Sequence, residues 1–291
     1  MAVALASGAG AILQSNEVLA QSTTAGALRG VLKDKATGEK AIGATVVATS
    51  PALVGEQVVI TDENGQYFIN SLPPGVYTLT IYYNDKPFSR GNVLIQVGKE
   101  AVVNVTVDSA AGKPGGETIV IQGSAPIIDQ GSTKTGQTIT DDYTRNIPTG
   151  RTFGAVLGSA AGSQGDTYGT SIAGATSAEN VFVVEGINTT DTGFGGISSN
   201  LPNEFIQETE VISGGYNAEF GRATGGIVNV VTKQGSNELR GSVYGYFKPG
   251  ALYSAAERIQ REGSSIDFAD NVDYQYDFGA EVGGPIIKDK L

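Results

Sequence analysis

The chain has 291 residues and contains 41 glycines but neither cysteine nor histidine. The absence of cysteine excludes disulfides and thiolate metal sites, and the absence of histidine removes the commonest general base and zinc ligand. We therefore predict no catalytic residues, no cofactor and no metal site. The formal net charge of −11 argues against a nucleic-acid partner, because neutralising phosphates requires clustered lysine and arginine.

Residues 1–20 are mostly small and apolar, and Val18, Leu19 and Ala20 immediately precede Gln21. This pattern resembles a secretory signal with its small-residue cleavage site, which predicts export. No lysine or arginine precedes the apolar run, so the positively charged part of such a signal is missing. A frayed helical tail is the alternative interpretation.

Residues 27–108 contain short β-forming runs separated by turn signals. The runs cover residues 30–32, 43–48, 58–61, 66–69, 76–81, 93–97 and 101–107. Asn64-Gly65 is a hairpin signal, and in the fifth run Tyr77, Leu79 and Ile81 fall on one face. Regular turns between several strands over about 80 residues predict a small β-sandwich.

Two short motifs in this region resemble a known family. TDENGQY at 61–67 and LPPGVY at 72–77 are similar to motifs of the carboxypeptidase regulatory-like domain, a transthyretin-like, Ig-like sandwich. Its fold group includes carbohydrate-binding domains, but membership of a fold does not establish sugar binding. Asp62, Glu63 and Asn64 are candidate calcium ligands. We favour a hairpin turn there, because the remaining ligand positions are not evident.

Residues 109–116, SAAGKPGG, have the composition of a flexible linker. The segment that follows is Glu117, Thr118, Ile119, Val120, Ile121, Gln122 and Gly123. It resembles the TonB box, which implies capture by a TonB-type periplasmic energy-transducing protein. An extended segment with β-branched residues suits that role, because it can add itself as a strand to a partner's sheet edge. The alternative is the first strand of the domain that follows.

Residues 125–232 combine strand and helix signals and predict an α+β domain. A threonine N-cap candidate lies within 138–143, one helical turn covers 143–147, and a short helix covers 153–158. Apolar strands are predicted at 180–186, 208–213 and 227–232, and the glycine-rich residues 191–199 form a loop.

The stretch EFGRATGGIVNVVTKQGSNELRGSVYGYF, residues 219–247, carries the second resemblance. It is similar to the end of the plug domain and the first barrel strand of TonB-dependent outer-membrane receptors. The Oar-like group of that family has an extra N-terminal sandwich. The resemblance implies a plug at 125–232 and the first two barrel strands within 240–291. It also implies an outer-membrane location, with the plug and sandwich on the periplasmic side.

Three charged residues stand in stretches otherwise rich in glycine, serine and threonine. We predict that Arg151, Glu219 and Arg222 hold the plug against an enclosing barrel wall. Solvated surface charge is an equally weighted alternative. A Glu185–Glu219 acid/base pair is a much weaker idea, because spacing gives it no geometry.

Residues 273–282 alternate strictly, with apolar or aromatic side chains at even positions and polar side chains or glycine at odd positions. About ten residues of this alternation are typical of a barrel strand with one face to lipid and the other to a wet lumen. The alternative is a half-buried strand of a soluble sheet. Residues 249–270 would form a long extracellular loop. Two strands cannot close a barrel, so the sequence predicts a truncated fragment.

Together these features predict a mainly β chain consisting of a sandwich, an α+β plug and the first barrel strands. The function implied is the N-terminal part of a TonB-dependent outer-membrane transporter. Its partners would be the energy-transducing protein, outer-membrane lipid, and a small-molecule, carbohydrate or peptide ligand. The alternative is a secreted or surface carbohydrate-binding or adhesion module without transport.

Overall fold

The structure, a computed structural model, describes residues 24–110, 119–120, 133–221, 223–252, 259–261, 264–266 and 273–287. Nearly half of these residues lie in strands and far fewer lie in helices, which confirms the mainly β fold class. The signal-like residues 1–20 and residues 111–118 lie outside the described ranges. Among the described residues, no helix has the length and apolarity needed to cross a membrane.

The first unit, which we call the sandwich, comprises residues 24–110 and contains eight strands. They are β1 (Gly26–Asp34), β2 (Thr45–Thr49), β3 (Gln57–Ile60), β4 (Gln66–Leu72), β5 (Gly75–Tyr83), β6 (Lys86–Ile95), β7 (Glu100–Val102) and β8 (Val105–Val107). One sheet has β1 at its centre, paired with β4, β7 and β8, and the other runs β3-β2-β5-β6. Leu28, Tyr77, Leu79 and Ile81 are fully buried in the core between them. The three residues that alternation places on one face of β5 are thus the ones that point into the core.

The two recognised motifs hold turns of the sandwich in place. Asp62 Oδ1 accepts hydrogen bonds from the backbone N–H groups of Asn64 and Gln66, at 2.8 and 2.7 Å. Tyr77 Oη donates to the carbonyl oxygen of Pro73 at 2.8 Å. The Asp62 side chain thus closes a hairpin turn, as favoured over a calcium site. Among the described residues, no cluster of three acidic side chains is arranged to hold a metal.

β6 is longer than the sequence pattern predicted. The expected strand began at Val93, whereas β6 begins at Lys86. Asn84 and Asp85 both have positive φ, at 49° and 57°, and form the tight turn from β5 into β6. These residue types tolerate the left-handed conformation, so the turn needs no glycine and gives a weaker sequence signal.

A two-residue strand, β9 (Ile119–Val120), extends the second sheet. It pairs parallel with β6, with Ile119 opposite Phe88 and Val120 opposite Ser89. Part of the TonB-box-like segment therefore lies on the sandwich edge, rather than starting the sheet of the following domain.

The second unit, which we call the central domain, comprises residues 133–232 except residue 222. Its strands and helices are β10 (Thr135–Thr140), α1 (Asp141–Asn146), α2 (Phe153–Val156), β11 (Ser163–Gly165), β12 (Thr170–Ile172), β13 (Val181–Val184), β14 (Ile187–Asn188), β15 (Ile206–Gly214) and β16 (Ile227–Thr232). Short 3-10 turns occur at Leu157–Ser159, Ser177–Glu179, Asn203–Phe205 and Ala218–Phe220. The main sheet runs β10-β15-β16-β13-β14, and β11 pairs with β12 separately. The α+β prediction for this unit is confirmed.

Different side chains pack on the two faces of the central sheet. Phe153, Val156 and Leu157 pack on one face against Val228 and Val230. The other face carries the small cluster of Ile212, Phe220 and Ile227, and further along β15 it carries Glu208 and Glu210, each only 3% exposed. Alternation along β15 sends these carboxylates to the side opposite Val211, which packs in the α2 cluster.

The third unit, which we call the ribbon, is an antiparallel pair of ten-residue strands. These two strands are β17 (Arg240–Pro249) and β20 (Tyr274–Gly283). The chain between them contains a short hairpin of β18 (Ile259–Arg261) and β19 (Ser264–Ile266). A 3-10 turn at Gly250–Leu252 follows β17. The β18–β19 hairpin falls within the stretch that was expected to be a plain loop. β17 and β20 pair in continuous register from Arg240–Gly283 to Pro249–Tyr274.

Candidate functional site: the contact between the central domain and the ribbon

The ribbon has two chemically different faces. Val243, Phe247, Tyr276 and Phe278 form an outer face, on which each side chain is at least 62% exposed. Tyr274, Tyr276 and Phe278 stack in sequence along it, with ring centroids about 6.1 Å apart. The polar side chains of β20 lie on the opposite face and meet the central domain. The predicted alternation of β20 is thus realised as an apolar outer face and a charged inner face.

Arg151 is the first centre of this contact. Its Nε and Nη2 atoms both donate to Asp277 Oδ2 of the ribbon, at 3.0 and 2.9 Å. Its Nη1 atom donates to Glu204 of the central domain. The guanidinium also lies over the Tyr246 ring, 3.5 Å from its centroid, a cation–π arrangement. Arg151 therefore joins the two units through charge, hydrogen bonds and ring contact.

The loop carrying Arg151 is fixed from within the central domain. The backbone N–H of Asn203 donates to the Arg151 carbonyl at 3.0 Å, and Asn203 Nδ2 donates to the Gly150 carbonyl at 2.8 Å. Asn203 is only 9% exposed, so its side chain is held in one position. Because the peptide groups before and after Arg151 are both anchored, the guanidinium reaches the ribbon with little backbone freedom left to lose.

Burial and hydrogen bonding shift the pKa values of Arg151 and Glu204 in opposite directions. Burial alone would lower the pKa of Arg151, but hydrogen bonds to Glu204 and Asp277 outweigh it and raise that pKa. Burial would raise the pKa of Glu204, yet the hydrogen bond from Arg151 brings it below its usual value. Both groups are therefore charged at neutral pH, and the contact is ionic.

Glu281 is the second centre of the contact. It accepts from Lys233 Nζ at 2.9 and 3.2 Å, and from Ser242 Oγ at 2.8 Å. Arg145 Nη2 lies 3.5 Å away, and both cations also pair with Asp141 of α1. Thr140 caps α1 by accepting from the Tyr143 N–H at 3.3 Å, so the start of the helix fixes Asp141. The two centres place complementary charges along the inner face.

A cavity of about 240 Å³ lies between the two centres. Arg145, Pro148 and Arg151 line it from the central domain, and Ser242 and Tyr244 line it from the ribbon. The contact is therefore held by discrete ionic groups around a gap, rather than by a continuous apolar core.

The predicted contact residues have different placements. Arg151 lies at the ribbon as described. Glu219 is exposed in the 3-10 turn Ala218–Phe220, where Asn217 Nδ2 donates to it at 3.3 Å, and no described contact joins it to the ribbon. Arg222 lies outside the described residues. Glu185 accepts from the backbone and hydroxyl of Thr232, so its carboxylate holds the end of β16.

Sequence reasoning did not single out several residues that form the contact. These are Asp141, Arg145, Glu204, Lys233, Ser242 and Tyr246. Alternation had already placed Asp277 and Glu281 on one face of β20, and the same reasoning places Ser242 and Tyr246 on one face of β17. Nothing in the sequence distinguished Glu204, because its position depends on how the 3-10 turn Asn203–Phe205 folds against the Arg151 loop.

Of the TonB-box-like segment, the structure describes Ile119 and Val120, in β9. Val120 is 69% exposed. Glu117, Thr118, Ile121, Gln122 and Gly123 lie outside the described residues.

Comparison with known proteins agrees with this architecture. The sequence profile of the carboxypeptidase regulatory-like domain matches residues 27–108. The TonB-dependent transporter Oar of Myxococcus xanthus is 41% identical over 97% of this chain, which spans 27% of Oar. The chain is related to the Oar-like TonB-dependent receptors.

A second relative belongs to the same broad class. The probable TonB-dependent siderophore receptor PirA of Acinetobacter baumannii is 36% identical over 33% of this chain and 11% of its own length. The crystal structure of PirA superposes on 53% of this chain and 22% of its own, with 22% identity and a TM-score of 0.38. By sequence, the chain thus spans 27% of the length of Oar and 11% of the length of PirA.

Proposed function

We propose that this chain is the plug-bearing part of a TonB-dependent outer-membrane transporter and that it binds and gates without making or breaking covalent bonds. In this proposal the central domain is the plug, and the ribbon is the start of the barrel wall. The ligand is a small molecule, a carbohydrate or a peptide. The sandwich and plug face the periplasm, where the energy-transducing partner binds.

The observation that carries the proposal is the two-faced ribbon. Its inner face is ion-paired to the central domain through Asp277 and Glu281, whereas its outer face exposes Phe247, Tyr276 and Phe278. A soluble protein gains nothing from a contiguous row of exposed aromatic side chains, whereas a lipid-facing strand requires one. Charge turned inward and aromatic surface turned outward match a plug enclosed by a wall in lipid.

The plug–wall contact also suits gating. Its ionic groups surround a cavity, and partly solvated ion pairs contribute little each, about 0–1 kcal/mol for exposed ones. Such a contact can be broken and remade pair by pair without unfolding the apolar core of the plug. We propose that force on the TonB-box-like residues 117–123 loosens this contact and opens a path for the ligand.

The pairing of β9 supports the role given to that segment. Capture by an energy-transducing partner requires backbone groups that can join the edge of a sheet. Ile119 and Val120 already pair in this way with β6 of the sandwich. This pairing supports strand addition as the way in which a partner would recognise the segment.

The test is deletion of residues 117–123 in the full-length receptor to which this chain would belong. We expect energy-dependent uptake to be lost while ligand binding at the cell surface persists. Deleting seven residues of the linker region, 110–116, serves as a length-matched control and should preserve most of the uptake. Unchanged uptake after the first deletion would refute the mechanism.

Cell fractionation tests the location separately. We expect the full-length product in the outer-membrane fraction, resistant to extraction with salt. A product found in the periplasm or medium would favour the secreted adhesion module instead.

A further inference from the structure

The sandwich contacts the central domain through a turn that covers two buried carboxylates. The turn comprises residues 96–99, between β6 and β7. The backbone N–H of Val97 donates to Glu208 Oε2 at 3.0 Å, across 111 residues of sequence. Val97 is fully buried, and Glu208 is 3% exposed. The hydrogen bond that joins the two units is therefore shielded from water.

Glu210 lies next to Glu208 on the same face of β15 and is also 3% exposed. Lys134 Nζ lies 3.9 Å from Glu210 Oε1 and donates to the Gly98 carbonyl at 3.2 Å. One lysine thus contacts both the central-domain carboxylate and the sandwich turn. The side chains of Lys134 and Glu210 are 8% and 4% exposed, so this ion pair of the central domain is almost completely desolvated beneath the sandwich turn.

The turn fits closely because residue 98 is glycine. Gly98 has φ of +63°, a conformation that other residue types rarely adopt. A Cβ atom there would lie 2.8 Å from Glu210 Oε2 and 2.9 Å from Lys134 Nζ. A side chain at this position would have to displace the ends of the Glu210 and Lys134 side chains or the turn itself, and would also strain the backbone.

The surroundings of Glu208 and Glu210 make the contact between the 96–99 turn and β15 dependent on pH. Burial raises the pKa of Glu208 to about 7, and the Val97 N–H and Lys99 oppose this only in part. Burial also raises the pKa of Glu210, against the pull of Lys134 and Lys99, and Glu219 adds further repulsion. The charged groups facing the pair are thus Lys99 from the sandwich, and Lys134 and Glu219 from the central domain.

The direction in which pH changes docking follows from the fact that the two carboxylates are desolvated only while the sandwich is docked. With the sandwich lifted, water reaches them, and their pKa values return toward the ordinary value of a glutamate. A carboxyl group whose pKa is higher in the docked state favours docking as pH falls through about 7. Above that pH, ionisation of a buried carboxylate opposes docking.

We propose that the 96–99 turn and the Glu208–Glu210 face of β15 form a reversible docking site, with the sandwich held down when this face is protonated and released when it ionises. The occupant of the face is the sandwich of the same chain. Residues 111–132 connect the two units in the sequence, so release and return are intramolecular. This inference does not depend on transport or on a TonB-type partner.

The test is amide hydrogen exchange of the whole chain in detergent, followed from pH 5 to pH 8 and corrected for intrinsic exchange. The Val97 amide reports docking. The Val103 amide, which donates to the Arg29 carbonyl at 2.8 Å within the sandwich, is the internal control. We expect protection of Val97 to fall on the order of 10- to 100-fold across this range while Val103 is unchanged. Equal pH profiles for the two amides would overturn the proposal.

Three variants complete the test. Glu208→Gln keeps an oxygen acceptor for Val97 without the charge, and should keep Val97 protected at pH 8. Glu63→Gln, in an exposed turn of the sandwich, should retain the original pH profile. Gly98→Ala leaves both carboxylates in place and should lower Val97 protection at every pH, which keeps the proposal testable if Glu208→Gln does not fold. A pH profile for Glu208→Gln matching that of the original chain would refute the role of this carboxyl group.

Discussion

Arg151 donates two hydrogen bonds to a single oxygen of Asp277, from Nε at 3.0 Å and from Nη2 at 2.9 Å, although 126 residues separate the two. The same guanidinium pairs with Glu204 within its own unit. The side chain of Asp277 is 52% exposed, whereas that of Glu204 is 11% exposed. Arg151 is therefore anchored mainly by Glu204, and Asp277 of the ribbon is its more solvated partner.

This difference in exposure predicts unequal coupling energies. In double-mutant cycles, we expect Arg151 to couple to Asp277 by about 0.5 kcal/mol, because water screens a half-exposed pair. Its coupling to Glu204 should be larger, about 1–3 kcal/mol, because that carboxylate is mostly buried. Thermal unfolding of the Arg151→Ala, Asp277→Asn and Glu204→Gln variants and their pairs, in detergent, measures both values. A larger coupling to Asp277 would contradict the arrangement described.

Gly30 of β1 lies so close to the segment between β7 and β8 that we expect no room for even one methyl group there. A Cβ atom on Gly30 would lie 1.8 Å from the carbonyl oxygen of Val103, which also accepts from Tyr67 Oη at 2.6 Å. Gly30→Ala should lower the free energy of unfolding of the sandwich by about 1–3 kcal/mol or more. Chemical denaturation followed by tyrosine fluorescence measures the loss.

Gly91 provides the matched control for that substitution. It lies in β6 with no restrictive φ, and the nearest atom to a Cβ there is Thr78 Oγ1 at 4.0 Å. Gly91→Ala should change stability by less than about 0.5 kcal/mol. Equal losses for the two variants would argue against the close approach at Gly30.

The exposed aromatic outer face of the ribbon predicts that an added charge is tolerated far less on this face than on the inner face. If Phe278 faces lipid, Phe278→Arg should reduce folding of the full-length receptor in membranes by about 2–4 kcal/mol. Gln275→Arg places the same charge on the opposite face of β20 and should be tolerated. Yield of folded receptor in lipid vesicles, measured by protection from protease, separates the two. Equal yields would refute a lipid-facing outer surface.

The register of β9 on β6 predicts a specific cross-link. Ser89 and Val120 are register partners, and the chain has no cysteine to compete. Neighbouring strands lie about 4.8 Å apart, within the range that a disulfide can bridge. The Ser89→Cys, Val120→Cys pair should therefore oxidise readily, as shown by a mobility shift on non-reducing gels.

An off-register pair controls for chance encounters. Asn92 lies three residues further along β6, beyond the partner of Val120, so Asn92→Cys with Val120→Cys should cross-link several-fold more slowly. Similar rates for the two pairs would show that the segment does not dwell on β6 in this register.

The sequence alone determined the features that depend on local pattern. Period-two alternation specified both faces of β20 and the buried side of β5, because successive side chains in a strand must point to opposite sides. Asn64-Gly65 and the surrounding motif specified a turn, because their backbone preferences are local. The charged residues of β20 could thus be assigned to one face before any partner was known.

The tertiary structure alone decided which groups meet across long separations. Glu204 joins Arg151, Lys233 joins Glu281, and Glu208 lies under the turn at Val97, although nothing in their sequence neighbourhoods distinguishes them from solvated charges. A charged side chain has the same local preferences whether it is hydrated or buried against another unit. Its role is set by desolvation and by the partner brought to it, and both arise only when separate units pack together.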